Sequence, residues 1–198
     1  MQGYRISEIF YSLQGEGANT GTPAIFIRFA GCNLKCPFCD TDFSKFTVWI
    51  LREIEGWLGE QEKLPDLVVL TGGEPTLQVD DKLCELLHLF FETVAIETNG
   101  TNRVPNAVNF VTLSPKDDFC HNAESIIGVA NEVKVVFDGE RSPEFWHTHV
   151  MANYYYLQPC DTGDEEKNME IRGKAVEYIK EHPWWRLSLQ TQKILKIR

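Results

Sequence analysis

The sequence predicts an α/β fold, a shortened, open (partial) TIM-type β/α barrel with about six parallel strands. Short apolar runs typical of buried strands alternate with stretches of helical periodicity, as parallel β/α units require. Glycine and polar residues follow these runs repeatedly, and in such barrels the ligand-binding groups collect at the carboxyl ends of the strands. The helices between the last three strands are expected to be short or missing. The predicted strands occupy residues 24–29, 67–70, 94–96, 108–113, 132–137 and 154–159.

Length and composition fit a single domain over residues 1–198. Hydrophobic and charged contents of 43% and 24% are ordinary for a globular protein that buries a sizeable core. The start of the chain has no apolar signal core, and no apolar run approaches the roughly 18–20 residues of a membrane span. Six cysteines without a secretory signal favour the reducing cytoplasm. The net charge of −10 provides no basic footprint, so neither nucleic acid nor a membrane is expected as a partner.

A short strand over residues 6–13 is expected before the first barrel strand, and it runs into the turn Gln14-Gly15-Glu16-Gly17. Two glycines permit a tight turn and a close approach of the backbone to a ligand. Gln14 can donate and accept hydrogen bonds and Glu16 can accept them, which suits the edge of a heterocycle. From these residues alone, a plain solvent-exposed turn is an equally good interpretation.

Arg28 interrupts the apolar strand 24–29. An arginine in such a run either lies on the exposed face of the strand or is held for a buried anion. Its planar guanidinium binds a carboxylate through two parallel hydrogen bonds.

A cysteine-rich loop follows this strand, with the spacing C-x3-C-x2-C at Cys32, Cys36 and Cys39. Three thiolates from one loop can ligate three irons of a [4Fe–4S] cluster, whereas most such clusters use four cysteines. The fourth iron would then be open to a group that is not protein. Structural zinc and buried structural thiols are the alternatives, but zinc requires ligands that the spacing elsewhere does not offer. The other cysteines are interpreted as small core hydrophobes: Cys84, Cys120 and Cys160.

Asp40 and Thr41 follow the last cysteine of the loop. Their oxygens suit Mg²⁺, which prefers few protein ligands together with water and substrate oxygens. The alternative for Thr41 is a cap of a helix or turn. Residues 48–57 carry apolar positions at helical spacing and are predicted to form an amphipathic helix that faces the core.

Strand 67–70 leads directly into Gly72, Gly73 and Glu74. The two glycines would let the backbone approach a ligand, and the carboxylate of Glu74 can accept hydrogen bonds from an ammonium group. Residues 79–91 then read as a helix with its apolar positions turned inward.

The later strands also end in polar residues. Taken singly, each end is at least as well explained by an ordinary turn, but the repetition favours a shared ligand site. Residues 117–131 have little helical periodicity, residues 164–182 form a helix that Pro183 ends, and residues 184–189 read as a last strand. The strand-end segments are Glu97-Thr98-Asn99-Gly100, Ser114-Pro115-Lys116 and Leu157-Gln158-Pro159.

The cysteine motif, with Phe38 just before Cys39, resembles the signature of the radical S-adenosylmethionine (SAM) superfamily. Leu13-Gln14-Gly15-Glu16-Gly17 and the strand-end motifs narrow the resemblance to the 7-carboxy-7-deazaguanine synthases, from Glu8 to the C-terminus. The resemblance implies a lyase whose [4Fe–4S] cluster binds SAM through its open iron and cleaves it to a 5′-deoxyadenosyl radical. That radical would take a hydrogen from 6-carboxy-5,6,7,8-tetrahydropterin. Ring contraction with loss of ammonia would give 7-carboxy-7-deazaguanine, for queuosine-type 7-deazapurines.

The resemblance also implies roles for individual residues. Cys32, Cys36 and Cys39 would hold the cluster, through which they are catalytic, and Thr41 would contact Mg²⁺. SAM contacts would be Phe38, Cys39, Asp40, Gly72, Gly73, Glu74, Gly100, Ser114, Pro115, Lys116 and Gln158. Substrate contacts would be Leu13, Gln14, Gly15, Glu16, Arg28, Thr98 and Gln192. A homodimer and an electron donor such as flavodoxin are further expectations of the family.

The chain departs from the family at Gln192, where the tail commonly carries a histidine. Glutamine can position a group by hydrogen bonding but cannot take a proton near neutral pH. Two other functions fit the cysteine motif: a radical SAM activase acting on a glycine of a partner protein, and a non-enzymatic zinc- or cluster-binding protein.

Overall fold

A computed structural model describes residues 3–42 and 44–198, and its centre is one nine-stranded sheet. The strands are β1 (Tyr4–Leu13), β2 (Pro23–Phe29), β3 (Thr47–Trp49), β4 (Leu67–Gly72), β5 (Thr93–Thr98), β6 (Phe110–Leu113), β7 (Glu132–Phe137), β8 (Tyr154–Pro159) and β9 (Trp185–Leu187). The helices are α1 (Leu51–Gly59), α2 (Asp81–Leu87), α3 (Glu144–His149), α4 (Glu165–Glu181) and α5 (Thr191–Leu195). Among these helices, all within the described ranges, none has the length and apolar character needed to cross a membrane.

The strand order is β3-β1-β2-β4-β5-β6-β7-β8-β9. From β2 to β9 every neighbouring pair is parallel, whereas β1 is antiparallel to both β2 and β3. Each parallel strand lies beside the previous one, as in a β/α barrel, but β3 and β9 remain at separate edges and the sheet stays open. The predicted partial barrel is confirmed. The last strand predicted over 184–189 is observed as β9, and together with the six predicted barrel strands it makes seven parallel strands.

The alternation of side chains along β2 separates the helix-covered face of the sheet from its inner face. Ile25 and Ile27 pack with α1 and α2 residues in the largest core cluster. Phe26 belongs to a smaller cluster on the other face, and Arg28 shares that face because it lies two residues further on. The inner face of the sheet therefore carries both apolar side chains such as Phe26 and polar side chains such as Arg28.

Residues 48–57 do not form one helix, so that prediction was wrong at its start. Val48 and Trp49 belong to β3 and pair with Arg5 and Tyr4 of β1, and α1 begins only at Leu51. β-branched and aromatic side chains suit a strand, and pairing with β1 outweighs their helical spacing.

Other elements follow the predictions more closely. The predicted helix 79–91 is shorter, because α2 begins after Asp80, whose side chain accepts a hydrogen bond from Leu83 N at 3.0 Å, and ends at Leu87. The helix predicted over 164–182 is confirmed as α4. Only the six-residue α3 lies between the last three of the predicted barrel strands, as expected from the missing periodicity.

Candidate functional site

The carboxyl ends of the parallel strands open into one cavity of about 780 Å³. The turn after β1, the cysteine loop, the ends of β4 to β8 and the segment that leads into α5 all contribute to its wall. The cavity brings together every predicted site residue except Glu74, Gly100 and Pro115. Parallel strands bring their carboxyl ends to one edge, which explains why distant motifs converge here.

Cys32, Cys36 and Cys39 line this cavity as free thiols. The Leu34 N–H points at Cys32 Sγ at 3.4 Å, and the Cys39 N–H donates to the Cys36 carbonyl oxygen at 3.1 Å, so the backbone shapes the loop. Within the described residues, no three His, Cys, Asp or Glu side chains converge on a single-ion site of the kind that structural zinc needs. Three thiols spread around a wide cavity fit a polynuclear iron–sulfur cluster better.

Cys120 lies beside this loop, and its interpretation as a core hydrophobe was wrong. The Sγ atoms of Cys120 and Cys36 are 3.4 Å apart, and the Cys120 side chain is only partly buried. The irregular segment that carries Cys120 is held against the loop by an edge-to-face contact of Phe119 with Phe38, with ring centroids 4.7 Å apart. Cys84 and Cys160 are buried, as predicted.

Gly72 and Gly73 are required by a close approach of the protein's own backbone. A Cβ atom on Gly72, whose φ is +117°, would lie 2.3 Å from the Phe29 carbonyl oxygen, and one on Gly73 would lie 2.1 Å from the Gly31 oxygen. The end of β4 is thereby pressed against the chain that enters the cysteine loop. Both glycines also line the cavity, so a bound ligand can still approach their backbone as predicted.

Glu74 lies behind the cavity wall, with its side chain buried and its carboxylate engaged by the protein. Oε1 accepts hydrogen bonds from Thr98 Oγ1 at 2.8 Å and from Thr76 Oγ1 at 2.5 Å, and Oε2 accepts one from Asn99 N at 2.7 Å. This carboxylate ties the end of β4 to the end of β5 and so positions Thr98 on the wall. A direct contact with the SAM amino group stays a prediction.

Lys116 places a half-buried cation on the cavity wall. Its Nζ donates to both the carbonyl oxygen and the hydroxyl of Ser114 at 2.6 Å. Burial lowers the pKa of Lys116 to about 8, so a nearby anion would favour its charged form.

A buried group that we term the Lys134 network consists of Gln14, Glu16, Glu97 and Lys134. Lys134 Nζ donates to Glu16 Oε2 at 2.5 Å and to Glu97 Oε1 at 3.3 Å. Gln14 Nε2 donates to the same Glu97 oxygen at 3.1 Å. The network joins the turn after β1 to the end of β5 and the middle of β7, and all four residues line the cavity.

Glu16 and Lys134 hold each other in the ionised state. Burial alone would raise the pKa of Glu16, but the charge of Lys134 and hydrogen bonds from Lys134, Gln192 and Gln190 lower it to about 2. Burial would likewise lower the pKa of Lys134, and the Glu16 and Glu97 carboxylates raise it far above its ordinary value. With two carboxylates and one ammonium, the network carries a formal charge of −1 near neutral pH.

Glu97 and Lys134 were missed as site residues in the sequence. Each nevertheless left a signal. Lys134 is a charged residue inside an apolar strand, where burial without a partner is very costly. Glu97 directly precedes Thr98 at the end of β5, in a segment already singled out for its polar residues.

The segment that enters α5 closes one side of the turn after β1. Gln192 Nε2 and Gln190 Nε2 donate to Glu16 Oε1 at 2.9 and 3.1 Å, and Thr191 N donates to the Gly15 carbonyl oxygen at 3.1 Å. Gln192 Oε1 is buried and, in the described part of the chain, has no hydrogen-bond partner. Gln192 lines the cavity, but this oxygen is enclosed against Gly15, and no described residue donates to it there.

Arg28 lines the cavity near its rim but already has an anionic neighbour. Its Nε donates to Glu8 Oε1 at 2.7 Å, and Glu8 Oε2 also accepts from Arg198 Nη2 at 2.5 Å. The contact through Nε leaves the two terminal nitrogens of Arg28 for a further carboxylate. Neither Glu8 nor Arg198 was predicted.

Asp40 and Thr41 contribute oxygens to the same cavity. Thr41 Oγ1 lies 3.5 Å from Asp40 Oδ1, and Asp40 Oδ2 pairs with Lys193 Nζ at 2.8 Å. Carboxylate and hydroxyl oxygens are hard donors that fit Mg²⁺, although the ion pair with Lys193 occupies part of the Asp40 carboxylate.

Comparison with known proteins agrees with this geometry. Residues 26–114 match the family model described as the Radical SAM superfamily. The chain is 45% identical over 195 residues to a 7-carboxy-7-deazaguanine synthase of Bacteroides thetaiotaomicron, covering 98% of both chains. It is 39% identical to the synthase of Burkholderia multivorans, covering 98% of this chain and 99% of that one. The crystal structure of QueE from Escherichia coli superposes with a TM-score of 0.77 at 28% identity, covering 94% and 93% of the two chains.

None of these matches supports an activase of a partner protein or a zinc-binding protein. Identity at this level along nearly the whole length of both chains is far more specific than a shared cysteine motif. The chain belongs to the 7-carboxy-7-deazaguanine synthase family of the radical SAM superfamily.

Proposed function

We propose that this protein converts 6-carboxy-5,6,7,8-tetrahydropterin to 7-carboxy-7-deazaguanine with loss of ammonia, in queuosine-type 7-deazapurine biosynthesis. The observation that carries the proposal is the shared cavity. The three thiols of the cysteine loop and the heterocycle-binding turn after β1 line the same 780 Å³ space, which is large enough for a cofactor beside a small substrate.

Cys32, Cys36 and Cys39 would hold a [4Fe–4S] cluster with one open iron. When bound, the cluster and SAM supply the radical that removes a hydrogen atom from the substrate. The chain's own residues bind and orient the reactants and exclude water. Lys116 offers a half-buried cation and Ser114 a hydroxyl for SAM. Further SAM contacts would come from other residues that line the cavity: Phe38, Asp40, Gly72, Gly73 and Gln158.

On the substrate side, Gln14, Glu16 and Thr98 would hold the pterin ring, and Leu13 and Gly15 would shape the turn around it. Arg28 would bind the substrate carboxylate through the nitrogens that Glu8 leaves free. Gln192 lines the cavity, and as an amide it would position the ring without transferring a proton.

A Mg²⁺ ion at Thr41 would orient the substrate carboxylate through shared oxygen coordination. This part of the proposal is supported by the oxygen donors at positions 40 and 41 and by their place on the cavity wall.

The wider setting is also proposed. Residues 1–198 would act as one domain in the cytoplasm, which the free state of all six cysteines supports. A one-electron donor such as flavodoxin would reduce the cluster. The exposed Phe46 and Val48 at the β3 edge of the sheet are consistent with a homodimer contact there.

The test is anaerobic reconstitution of the protein with iron and sulfide. EPR spectra of the reduced protein are recorded with and without SAM, and product from the tetrahydropterin is then followed by mass spectrometry. We expect a [4Fe–4S] signal that changes with SAM and formation of the ring-contracted product. Cys36→Ser should abolish cluster binding, whereas Cys84→Ser, which changes a cysteine in the core, should retain it.

A SAM-sensitive signal without product would contradict the proposed substrate while leaving the radical SAM chemistry intact. Failure of the wild-type protein to take up iron would contradict the proposed function altogether.

A further inference from the structure

We propose that Glu97 binds the substrate directly and that Lys134 is the positioning residue that holds Glu97 and Glu16 against it. Their ligand is the donor edge of a 2-amino-4-oxopyrimidine ring, which presents a ring N–H and an amino group. The inference rests on the proposed function, because the tetrahydropterin carries such an edge.

The first step of the argument is the acceptor capacity of Glu97. An ionised carboxylate offers about four acceptor positions. Glu97 Oε1 accepts from Gln14 Nε2 and Lys134 Nζ, and Oε2 accepts from Thr71 Oγ1 at 3.0 Å. Counting the donors in residues 3–42 and 44–198, one position on Oε2 is left. Glu97 lines the cavity, so a bound ligand can supply the missing donor.

Glu16 accepts as many hydrogen bonds as Glu97, but it is less exposed. Its Oε1 accepts from Gln190 and Gln192, and its Oε2 accepts from Lys134 at 2.5 Å. Its side chain is 13% exposed, against 22% for Glu97. The carboxylate with more access to the cavity is therefore Glu97, which was not among the predicted substrate contacts.

The charge of the Lys134 network selects the edge of the ligand that it binds. Two carboxylates around one ammonium leave a formal charge of −1 and a surplus of acceptors over donors. Such a surface attracts N–H donors and repels carboxylates. The substrate carboxylate is accordingly directed away from this network and toward Arg28. The network thus fixes which way round the ring lies in the cavity.

Lys134 acts on the ligand only through its neighbours. It holds two carboxylates of different elements, Glu16 after β1 and Glu97 on β5, at one nitrogen atom. Without that cation the two like charges would repel each other, and their spacing would no longer match a ring edge.

The experiment measures discrimination between two ligands. One is 6-carboxy-5,6,7,8-tetrahydropterin, and the other is the corresponding tetrahydrolumazine, in which oxygen replaces the 2-amino group. Binding of each to the reconstituted protein is measured anaerobically with SAM present and no reductant, so that no turnover occurs. We expect the wild-type protein to prefer the pterin by about tenfold or more, because losing one charge-assisted hydrogen bond costs that much.

Glu97→Gln should reduce this preference to about threefold or less, and Lys134→Met should reduce it too. The matched control is Glu92→Gln, which makes the same chemical change at an exposed position and should keep the full preference. The EPR change caused by SAM should stay as in the wild-type protein in all three variants, which shows that the cysteine loop and SAM site are intact. If Glu97→Gln does not fold, Glu97→Asp is measured in its place. It retains the charge and should keep most of the preference for the pterin.

The outcomes separate this inference from the proposed function. If the wild-type protein binds no tetrahydropterin in the presence of SAM, the proposed function fails and this inference fails with it. If the wild-type protein discriminates but Glu97→Gln discriminates equally well, only the role of Glu97 is overturned. If Lys134→Met keeps the full preference for the tetrahydropterin over the tetrahydrolumazine, the positioning role of Lys134 is overturned.

Discussion

At the scale of single residues, Gln192 combines a hydrogen bond to Glu16 with a buried carbonyl oxygen at the cavity edge. An amide has the same charge at every physiological pH, so this contact does not titrate. With a histidine at this position, as the resemblance predicts for the family, the same contact would respond to pH.

Gln192→His should therefore introduce a pH-dependent term into folding stability. The Glu16 anion would raise the pKa of the imidazole above its unfolded value of about 6.5. The added stability is then fully present below about pH 6.5 and is lost as the pH rises through the folded-state pKa. Urea unfolding at pH 5.5 and 8.5 measures it, with the wild-type protein as reference. A difference between the two proteins that is the same at both pH values would contradict this expectation.

Gly15→Ala should displace the segment that enters α5. The new Cβ would lie 1.8 Å from Gln192 Oε1 and 2.9 Å from Gln192 N, so both side chain and backbone must move. We expect turnover of the tetrahydropterin to fall at least tenfold while the SAM-dependent EPR change is kept. Gly56→Ala in α1 has open space around its Cβ and should leave turnover unchanged. Equal turnover of Gly15→Ala and the wild-type protein would show that this closure is not needed.

About half of the residues that line the cavity were predicted, because polar strand ends recur along the chain and the family resemblance assigned them to one site. Gln14, Lys116 and Gln158 follow apolar runs, and the ends of parallel strands meet at one edge. Glu97 and Lys134 were missed because their significance lies in their pairing across three elements, which no local pattern reveals. The burial of the Glu74 carboxylate likewise depends on donors from another segment, Thr98 and Asn99 at the end of β5.

At the scale of elements, Lys134 joins β7 to β5 and to the turn after β1. Lys134→Met should lower the free energy of unfolding by about 3–5 kcal/mol, because it leaves two buried carboxylates without their cation. Lys180→Met removes an exposed lysine that pairs with Glu177 and should cost less than about 1 kcal/mol. Denaturant unfolding of both variants makes the comparison. A similar small cost for both would show that the buried pairing contributes little to stability.

The strands were predicted better than the helices, and the reason is physical. Strands that are mostly buried are rich in apolar, β-branched and aromatic residues, so β7 and β8 were placed at their observed bounds. Val48 and Trp49 fit helical spacing equally well, and only β1, more than forty residues earlier, decides for a strand. The start of the short α5 is fixed by the hydrogen bond from Thr191 N to the Gly15 carbonyl oxygen, which the sequence does not show.

At the scale of the whole molecule, acid should unfold the protein partly through Glu16. Its pKa is about 2 when folded, below the ordinary 4.5, so its contribution is fully present above pH 4.5 and is lost as the pH falls toward 2. The free energy of unfolding of Glu16→Gln should therefore fall less steeply than that of the wild-type protein over this range. Urea unfolding at several pH values between 5 and 2.5 gives both slopes. Parallel slopes would mean that Glu16 is not stabilised by folding.

The contact between Cys36 and Cys120 has a consequence for the protein before it acquires its cluster. With their sulfurs 3.4 Å apart, the two thiols can form a disulfide with small movements, and an oxidised disulfide such as oxidised glutathione would accept the two electrons. We expect cluster-free protein treated with it to lose two free thiols and to refuse iron until dithiothreitol is added. Cys120→Ser should take up iron without reductant, and peptide mass mapping would locate the bond. Oxidation that leaves Cys36 and Cys120 unlinked would contradict this. If the disulfide does form, cluster-free protein stored in air would accumulate in an inactive disulfide form that a reductant restores. In that form the Cys36 sulfur is protected from irreversible oxidation.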